Sequence, residues 1–493
     1  MISLGIDIGG TGCKCVAFRD TGEQIAMSYR EYPTKPGEVN LNALALCESV
    51  FFVISDCVKK LDDAKQVAAI TVSSFGESFV PVDRGGQPLS DIILYFANTE
   101  SGEFSRLVES VGVEKFMRIT CVLPDASYSL AKMLYTLRTA PRPVWKFLFV
   151  ASYICFCLSG ETVADYSLAC RSILFDVRKL CWSDELTSAC GIDPETLPAV
   201  LPTGACAGTL TQEAASALGL PQSVKVVIGS HDQIVNALGC GVANPGEAVD
   251  TTGTVECICP LFASIPETLD FERENYACVP YLDGRGYVTY AYNISGGAVV
   301  RWYRDSLAFY LKQAAKERGC SVYVLLNETC PPEPIVLPFL QGMGGTPDVL
   351  TGARGTIYGL TMHTSPADLY RAILEGLTFE MRYNLEKLAK YDIRPTTLFA
   401  AGGGAKSPVW RQIKADILGA EIRPTLADEA GALGSAILGL AAATGEKDRT
   451  ALAARFVRYG QTAKPDAQRH AYYEKQFALY KELRDFEVRH ARG

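Results

Sequence analysis

The chain has 493 residues, too many for one compact core at roughly 100 to 200 residues per domain, so two or three domains are expected. With 48% hydrophobic, 21% charged and 10% aromatic residues, the composition excludes a largely disordered or fibrous chain. A net charge of −8 argues against nucleic acid or an anionic membrane as partner, because both select a basic patch, and leaves a small-molecule site as the expectation.

The 17 cysteines are scattered, and the pairs Cys13/Cys15 and Cys155/Cys157 fit neither zinc nor redox CxxC spacing. With no secretory signal read at the N-terminus, a reduced cytoplasmic protein is expected. The longest apolar run, Phe147 to Leu158, is too short to cross a bilayer and reads as a buried helix.

In chain order, Ile2, Leu4, Ile6 and Ile8 alternate with Ser3, Gly5 and Asp7, which predicts a strand with one apolar face. It ends in the turn Gly9-Gly10-Thr11-Gly12, and a second strand follows from Lys14 to Arg19. Residues 42 to 61 read as a helix, Val67 to Ser73 as a buried strand, and helical patterns resume from about 100 to 158. Strands and helices interleave, which favours an α/β architecture. Val224 to Ile228 form a strand that feeds a helix through Gly229-Ser230-His231-Asp232, and Asn244-Pro245-Gly246 is the best domain boundary. Directly after it, Asp250-Thr251-Thr252-Gly253-Thr254 makes a second Gly/Thr-rich turn, so the two halves begin alike. A loop-rich stretch runs to about 345, then a helix from Pro366 to Lys390. Gly402-Gly403-Gly404 leads to a helix capped by Ser407 with Pro408 at its first position. Ala430 to Ala443, almost all small or aliphatic, suits a helix packed closely on a sheet, and the charged segment from about 447 reads as surface helices.

Four constellations carry chemistry. Asp7 with Gly9, Gly10, Thr11, Gly12 and Lys14 can bring backbone N–H groups, a hydroxyl and a positive charge to phosphate oxygens, although a plain hairpin turn is the alternative. Asp250 to Thr254 is a weaker copy with the same chemistry. The triple glycine can pass close under a flat ring or ribose, next to a helix N-terminus that favours an anion. Asp232 stands where a strand meets a helix, either as a reactive carboxylate or as an N-cap.

Together these motifs resemble the FGGY carbohydrate kinases, which include xylulokinase and glycerol kinase. Gly5-Ile6-Asp7 through Lys14 resembles the family's first phosphate loop, Gly253-Thr254 its second, and Gly229 to Asp232 the GxxD element. Gly402 to Gly419 resembles the adenosine segment, Gly355 to Glu375 the C-terminal signature, and Ser127 to Tyr135, around Lys132, an N-terminal one. The resemblance, over about residues 2 to 445, implies two actin-like ATPase domains with RNase H-like cores and a nucleotide cleft between them. The expected domains are 1–245, for sugar binding and the catalytic base, and 246–493, for adenosine.

The activity so implied is transfer of the γ-phosphate of ATP to a hydroxyl of an open-chain ketose or polyol, xylulokinase-like. The alternatives are a kinase for glycerol or tetritols and a non-catalytic nucleotide-binding sensor. Asp232 would be the general base, and Asp7 would hold Mg²⁺ through water. Gly10, Thr11, Gly12, Lys14, Gly253, Thr254, Gly402, Gly403, Gly404 and Lys406 would bind ATP. Gly76, Glu77, Asp232 and Gln233 would face the sugar. The pair Gly76-Glu77 replaces the Met-His of xylulokinase-like members and the Arg-Glu of glycerol kinase, while Gln233 follows glycerol kinase. Glu77 also reads as a surface-loop carboxylate, and for His231 substrate contact and simple packing are both open. The expected partner is a small sugar or polyol, with a homodimer as an open assembly.

Overall fold

A computed structural model describes residues 1–33, 39–97, 102–326 and 334–492; part of the loop-rich stretch, 327–333, therefore lies outside the described residues. The strands that organise it are β1 (Ile2–Ile8), β2 (Gly12–Arg19), β3 (Gln24–Glu31), β4 (Val67–Ser74), β5 (Cys206–Thr209) and β6 (Lys225–His231). They form one sheet in the order β5-β6-β4-β1-β2-β3. A second sheet contains β7 (Glu247–Thr252), β8 (Glu256–Phe262), β9 (Val279–Tyr281), β10 (Gly286–Val288), β11 (Ala291–Asn293), β12 (Thr397–Ala401) and β13 (Glu421–Pro424). Its order is β9-β10-β8-β7-β12-β13, with β11 also on β8, so the predicted loop-rich stretch contributes short strands to this sheet and also carries helices such as Gly297–Trp302 and Leu311–Glu317.

The two sheets repeat one plan. β1 runs antiparallel to β2 and parallel to β4, which is parallel to β6. β7 in turn runs antiparallel to β8 and parallel to β12, which is parallel to β13. Each repeat opens with a hairpin whose turn is one of the two Gly/Thr motifs, so the similarity of the halves is a similarity of topology.

Six helices place the site: α1 (Ala43–Val58), α2 (Asp232–Gly239), α3 (Pro366–Leu388), α4 (Pro408–Leu418), α5 (Ala430–Thr444) and α6 (Ala467–Arg492). α2 follows the last parallel strand of the first sheet, and α5 follows that of the second. These equivalent helices meet at glycines: a Cβ on Gly239 would lie 1.8 Å from the Ala430 carbonyl oxygen, and one on Gly434 1.9 Å from that of Val235. α5 continues onto the first sheet, where a Cβ on Gly5 would lie 2.0 Å from the Ala432 carbonyl oxygen and Ser73 Oγ is 3.0 Å from Ser435 Oγ. Both faces of β1 are consequently buried, rather than the one that its alternation predicts. The small residues of α5 thus serve a close helix–sheet approach, but on the sheet of the other half.

Two further expectations change. The run Phe147 to Leu158 divides into a strand, Lys146–Phe149, and a helix, Val150–Ser159, because an apolar run buried on all sides carries no period to distinguish the two. The charged C-terminal segment is not only surface: α6 buries Tyr473, Phe477, Tyr480 and Arg484. Arg484 Nη2 lies 2.9 Å from Glu380 Oε1 on α3, and Tyr480 donates to the same carboxylate at 2.8 Å. Among the described residues no helix is long and apolar enough to cross a membrane.

Candidate active site

The first hairpin closes through Gly9 N–H to the Gly12 carbonyl at 2.9 Å. Gly12 is required by packing, since its Cβ would stand 2.7 Å from the Arg30 carbonyl oxygen, whereas a Cβ on Gly10 would meet nothing within 4 Å. Asp7 and Lys14 are cross-strand partners, which brings Lys14 Nζ to 3.4 Å from Asp7 Oδ2. The same ammonium lies 2.7 Å from Glu429 Oε2, just before α5, so Lys14 is shared between two carboxylates. Burial raises the Asp7 carboxyl above its ordinary value, and Lys14 only partly opposes it.

The second hairpin differs from the weaker copy that its sequence suggests. Asp250 is sealed, and Lys414 of α4 lies 2.5 Å from Asp250 Oδ2, 2.7 Å from Glu256 Oε1 and 2.7 Å from Thr252 Oγ1. Burial pushes the Glu256 carboxyl up to about 7 against the pull of Lys414. This cluster anchors the loop from below, while Gly253 and Thr254 face outward.

Above that anchor is a cavity of about 680 Å³ lined by Gly253, Thr254, Gly403, Gly404 and Lys406, together with Arg301, Arg304, Tyr323, Tyr370 and Trp410. Gly404 fits because a Cβ there would stand 2.6 Å from Thr252 Cβ. Gly402, at φ +79°, is forced by the Thr252 carbonyl oxygen, 2.6 Å from where its Cβ would be; it lines the neighbouring depression. α4 begins as expected: Ser407 Oγ accepts from Trp410 N–H at 3.2 Å and Pro408 is its first residue. Lys406 reaches Asp428 at 3.0 Å, and Arg301 donates to Thr254 Oγ1 at 3.2 Å. Gly10, Thr11, Gly12 and Lys14 are not among the residues lining this cavity.

At the end of β4 the chain turns through Phe75-Gly76-Glu77, with Glu77 at φ 60°. Glu77 is no surface carboxylate. Its side chain is 12% exposed, and Arg171 Nε donates to its Oε1 at 2.5 Å while Arg171 Nη2 reaches the same atom. Burial would raise the Glu77 carboxyl, but Arg171, with His231 and Lys132 adding to its pull, holds the group below its ordinary value. Tyr128 and Tyr290 flank the guanidinium at 4.8 and 5.5 Å. Gly76 makes room, since a Cβ there would lie 2.8 Å from His231 Cδ2 and 3.0 Å from Arg171 Cγ. Lys132 donates to the backbone carbonyls of Glu77, Ser127 and Tyr128, and its burial lowers the ammonium to about 8.

Asp232 is the first residue of α2, and the preceding N-cap position, held by His231, makes no side-chain cap. The N-cap alternative for Asp232 therefore falls. Its side chain keeps 34% of its surface, yet Oδ1 is buried without a hydrogen-bond partner. Enclosure by protein raises the carboxyl to about 7, and the charges of Asp7 and Glu77 add to the rise. Gln233 Oε1 accepts from the Cys259 thiol at 3.7 Å, across to the second sheet.

The sequence reading missed Arg171, Tyr290, Glu429 and Lys414. For Arg171 the available signal was a charge at the end of the buried helix Tyr166–Cys170, and for Lys414 a lysine within the stripe of α4.

Residues 2–239 match the N-terminal domain, and 261–443 the C-terminal domain, of the FGGY family of carbohydrate kinases. A gluconokinase of Bacillus licheniformis is 29% identical over 461 residues, covering 90% of this chain and 88% of the relative. A xylulose kinase of Escherichia coli strain K12 is 27% identical over 502 residues, covering 97% and 98%. Among solved structures, the ligand-bound xylulose kinase of Lactobacillus acidophilus superposes with a TM-score of 0.87 at 23% identity, covering 99% of this chain and 98% of that one.

Proposed function

The chain belongs to the FGGY family of carbohydrate kinases and is a sugar kinase, and from that premise we propose that it phosphorylates a hydroxyl of an open-chain ketose or polyol, xylulokinase-like, with Asp232 as general base. The observation that carries this reading is the Asp232 carboxyl, open to solvent on one side at the start of α2 and raised to about 7. A base with that affinity can take the acceptor's proton near neutral pH as its oxygen attacks the γ-phosphorus of ATP. Positioning and charge stabilisation supply most of the remaining catalysis, because phosphoryl transfer leaves little covalent chemistry to the protein. Membership of a kinase family sets aside the reading as a non-catalytic sensor.

In this reading Glu77 and Gln233 face the acceptor, and Gly76 contributes by admitting His231 and Arg171 beside it. Gly253, Thr254, Gly403, Gly404 and Lys406 take the nucleotide in the cavity above α4, with Gly402 shaping the turn. The open turn at Gly10 and Thr11, closed beneath by the packed Gly12 and flanked by Lys14, meets the terminal phosphates. The 1–245 half carries the base and sugar site, the 246–493 half the adenosine site, and their closure excludes water from the transfer.

Among the described residues no cluster of three or more acidic, His or Cys side chains could hold a metal by itself. Asp7, a hard oxygen donor with 20% of its side chain exposed, suits Mg²⁺ held mainly by water and nucleotide oxygens. Bound there, Mg²⁺ would spread the phosphoryl charge; Asp7 orients it and Lys14 balances Asp7 and Glu429.

A second reading, an aldonate acceptor, is favoured by the 29% identity to a gluconokinase. Turnover of ATP and Mg²⁺ with separate pentuloses (xylulose included), hexuloses, tetritols, glycerol and aldonates (gluconate included) decides between these. A ketose or polyol is expected to stimulate turnover, stimulation by aldonates alone transfers the assignment to the second reading, and no stimulation by any overturns both. We place the enzyme in the cytoplasm, where ATP is available, and propose a homodimer, which sedimentation analysis tests.

A further inference from the structure

Tyr290, the residue before β11, reaches from the second sheet to the end of the first, where its hydroxyl lies 3.0 Å from His231 Nδ1. The other ring nitrogen, Nε2, is 3.5 Å from Asp232 Oδ1, a few tenths of an ångström beyond a formed N–H···O bond. Oδ1 is buried and has no hydrogen-bond partner, although the Asp232 side chain as a whole retains solvent contact. An orphaned buried carboxylate oxygen is costly; Gln233 engages the carboxylate by hydrogen bonding and opposes its rise, while the His231 ring stands 3.5 Å from Oδ1 itself.

We propose that His231 is a positioning residue for the base: Tyr290 donates to Nδ1, which fixes the Nε2–H tautomer, and Nε2–H engages Asp232 Oδ1 so that Oδ2 is turned to the acceptor hydroxyl. The proposal rests on Asp232 being the base, and it adds that a residue of the opposite lobe sets that base's orientation. Burial keeps the imidazole neutral, pushing it down to about 4, with Glu77 opposing and Arg171 adding to the fall, so a single tautomer can be held. Gly76 gives the ring its place, and Ser167 Oγ accepts from the His231 backbone N–H at 2.9 Å, which fixes the main chain beneath it. Asp7, Glu77, Tyr290 and Cys259 are the other titratable groups acting on Asp232, and Tyr95 also senses its charge. A change at His231 is therefore read by its own spectrum and not by turnover alone.

The chain has four histidines, so ¹⁵N-histidine labelling with a His231→Gln reference assigns the ring without any substrate. The expected spectrum is a neutral Nε2–H imidazole that does not titrate between about pH 5.5 and 8.5, an interval that brackets the ordinary histidine value of ~6.5. Tyr290→Phe is expected to mix the tautomers, and Asp232→Asn to shift Nε2–H. A dominant Nδ1–H tautomer, or an Nε2 signal indifferent to Asp232→Asn, overturns the proposal whether or not a substrate is known. On an acceptor found by the panel above, His231→Leu is expected to lower kcat by about 10²-fold, the scale of a ~1 Å misplacement of a catalytic group, with both KM values within about twofold. His231→Gln, which keeps a donor near the Nε2 position, should recover to within about fivefold of the parent. If Gln is as poor as Leu, the ring only packs and the positioning role is lost.

Discussion

Arg171 and Glu77 form a buried ion pair in which Nε meets Oε1 at 2.5 Å and the side chains are 11% and 12% exposed. Removing one partner from such a pair strands the other charge, a loss of roughly 3–5 kcal/mol, whereas removing both costs far less. Arg171→Met is therefore expected to be strongly destabilised in urea unfolding, and Glu77→Gln/Arg171→Met to lose less than the two single variants summed. Additive losses would show that the pair is not coupled. Because Glu77 is held below its ordinary value in the folded protein, its contribution is present above the unfolded pKa and fades as pH falls through the folded one. The stability gap between parent and Glu77→Gln should accordingly shrink on acidification below about pH 4.5. Glu77→Gln should also raise the acceptor KM while leaving that for ATP in place.

Asp232→Asn removes the proton acceptor and retains the shape. Acceptor phosphorylation is expected to fall by about 10² to 10⁴, with ATP affinity, measured by calorimetry, within about twofold of the parent. The same variant has a signature in stability. A carboxyl at about 7 in the fold and 3.8 in the unfolded chain loses its contribution as pH rises between those values. Asp232→Asn should therefore melt above the parent at pH 8, and by a smaller margin at pH 5. An equal margin at both would return the Asp232 carboxyl to an ordinary affinity, and the acid limb of the parent kcat/KM, which reports the free enzyme's groups, should lie near pH 7.

The parts of this site that obey local rules were legible in the sequence. The β1–β2 hairpin follows from alternation and glycine, the entry to α2 from a β-branched run meeting Asp232, and the start of α4 from Ser407-Pro408. What escaped depends on partners far along the chain: Arg171 is 94 residues from Glu77, and Glu429 is 415 from Lys14. No spacing rule joins such residues. The polarity of α6 hid its packing for a related reason, since Arg484 is buried only because Glu380 and Asp348 satisfy it. The segment Asp250 to Thr254 reads as a weaker copy of the first turn, and that Asp250 is sealed against Lys414 escaped because motif similarity does not report burial.

The Lys414 cluster predicts opposite behaviour in its members. Lys414→Met leaves Asp250 and Glu256 sealed without a cation and should cost about 3–5 kcal/mol, read as a lower urea midpoint. Glu256 has its carboxyl raised to about 7, so its charged form is disfavoured by the fold and stability is lost as pH rises toward that value. Glu256→Gln is then expected to gain on the parent between pH 5.5 and 8.5. A variant that loses ground over that interval would mean that the Lys414 charge, and not burial, governs Glu256.

Two glycines separate folding from nucleotide binding. A Cβ on Gly239 would fall 1.8 Å from the Ala430 carbonyl oxygen, and that contact is backbone against backbone, with no flexible side chain to yield. Gly239→Ala must push α2 from α5, and overpacking of this kind costs at least about 1–3 kcal/mol. It is expected to lower Tm and, by moving Asp232 at the other end of α2, to lower kcat as well. Gly10 presents the opposite case, because a Cβ there meets nothing within 4 Å. Gly10→Ala should keep the parent Tm to within about 1 °C, as an unstrained surface substitution does, while a phosphate brought against the Gly10 backbone would meet the new methyl group. The expected result is a raised KM for ATP with the acceptor KM unchanged. An unchanged KM for ATP in a stable Gly10→Ala protein would remove the first hairpin from the nucleotide site and leave it the plain turn.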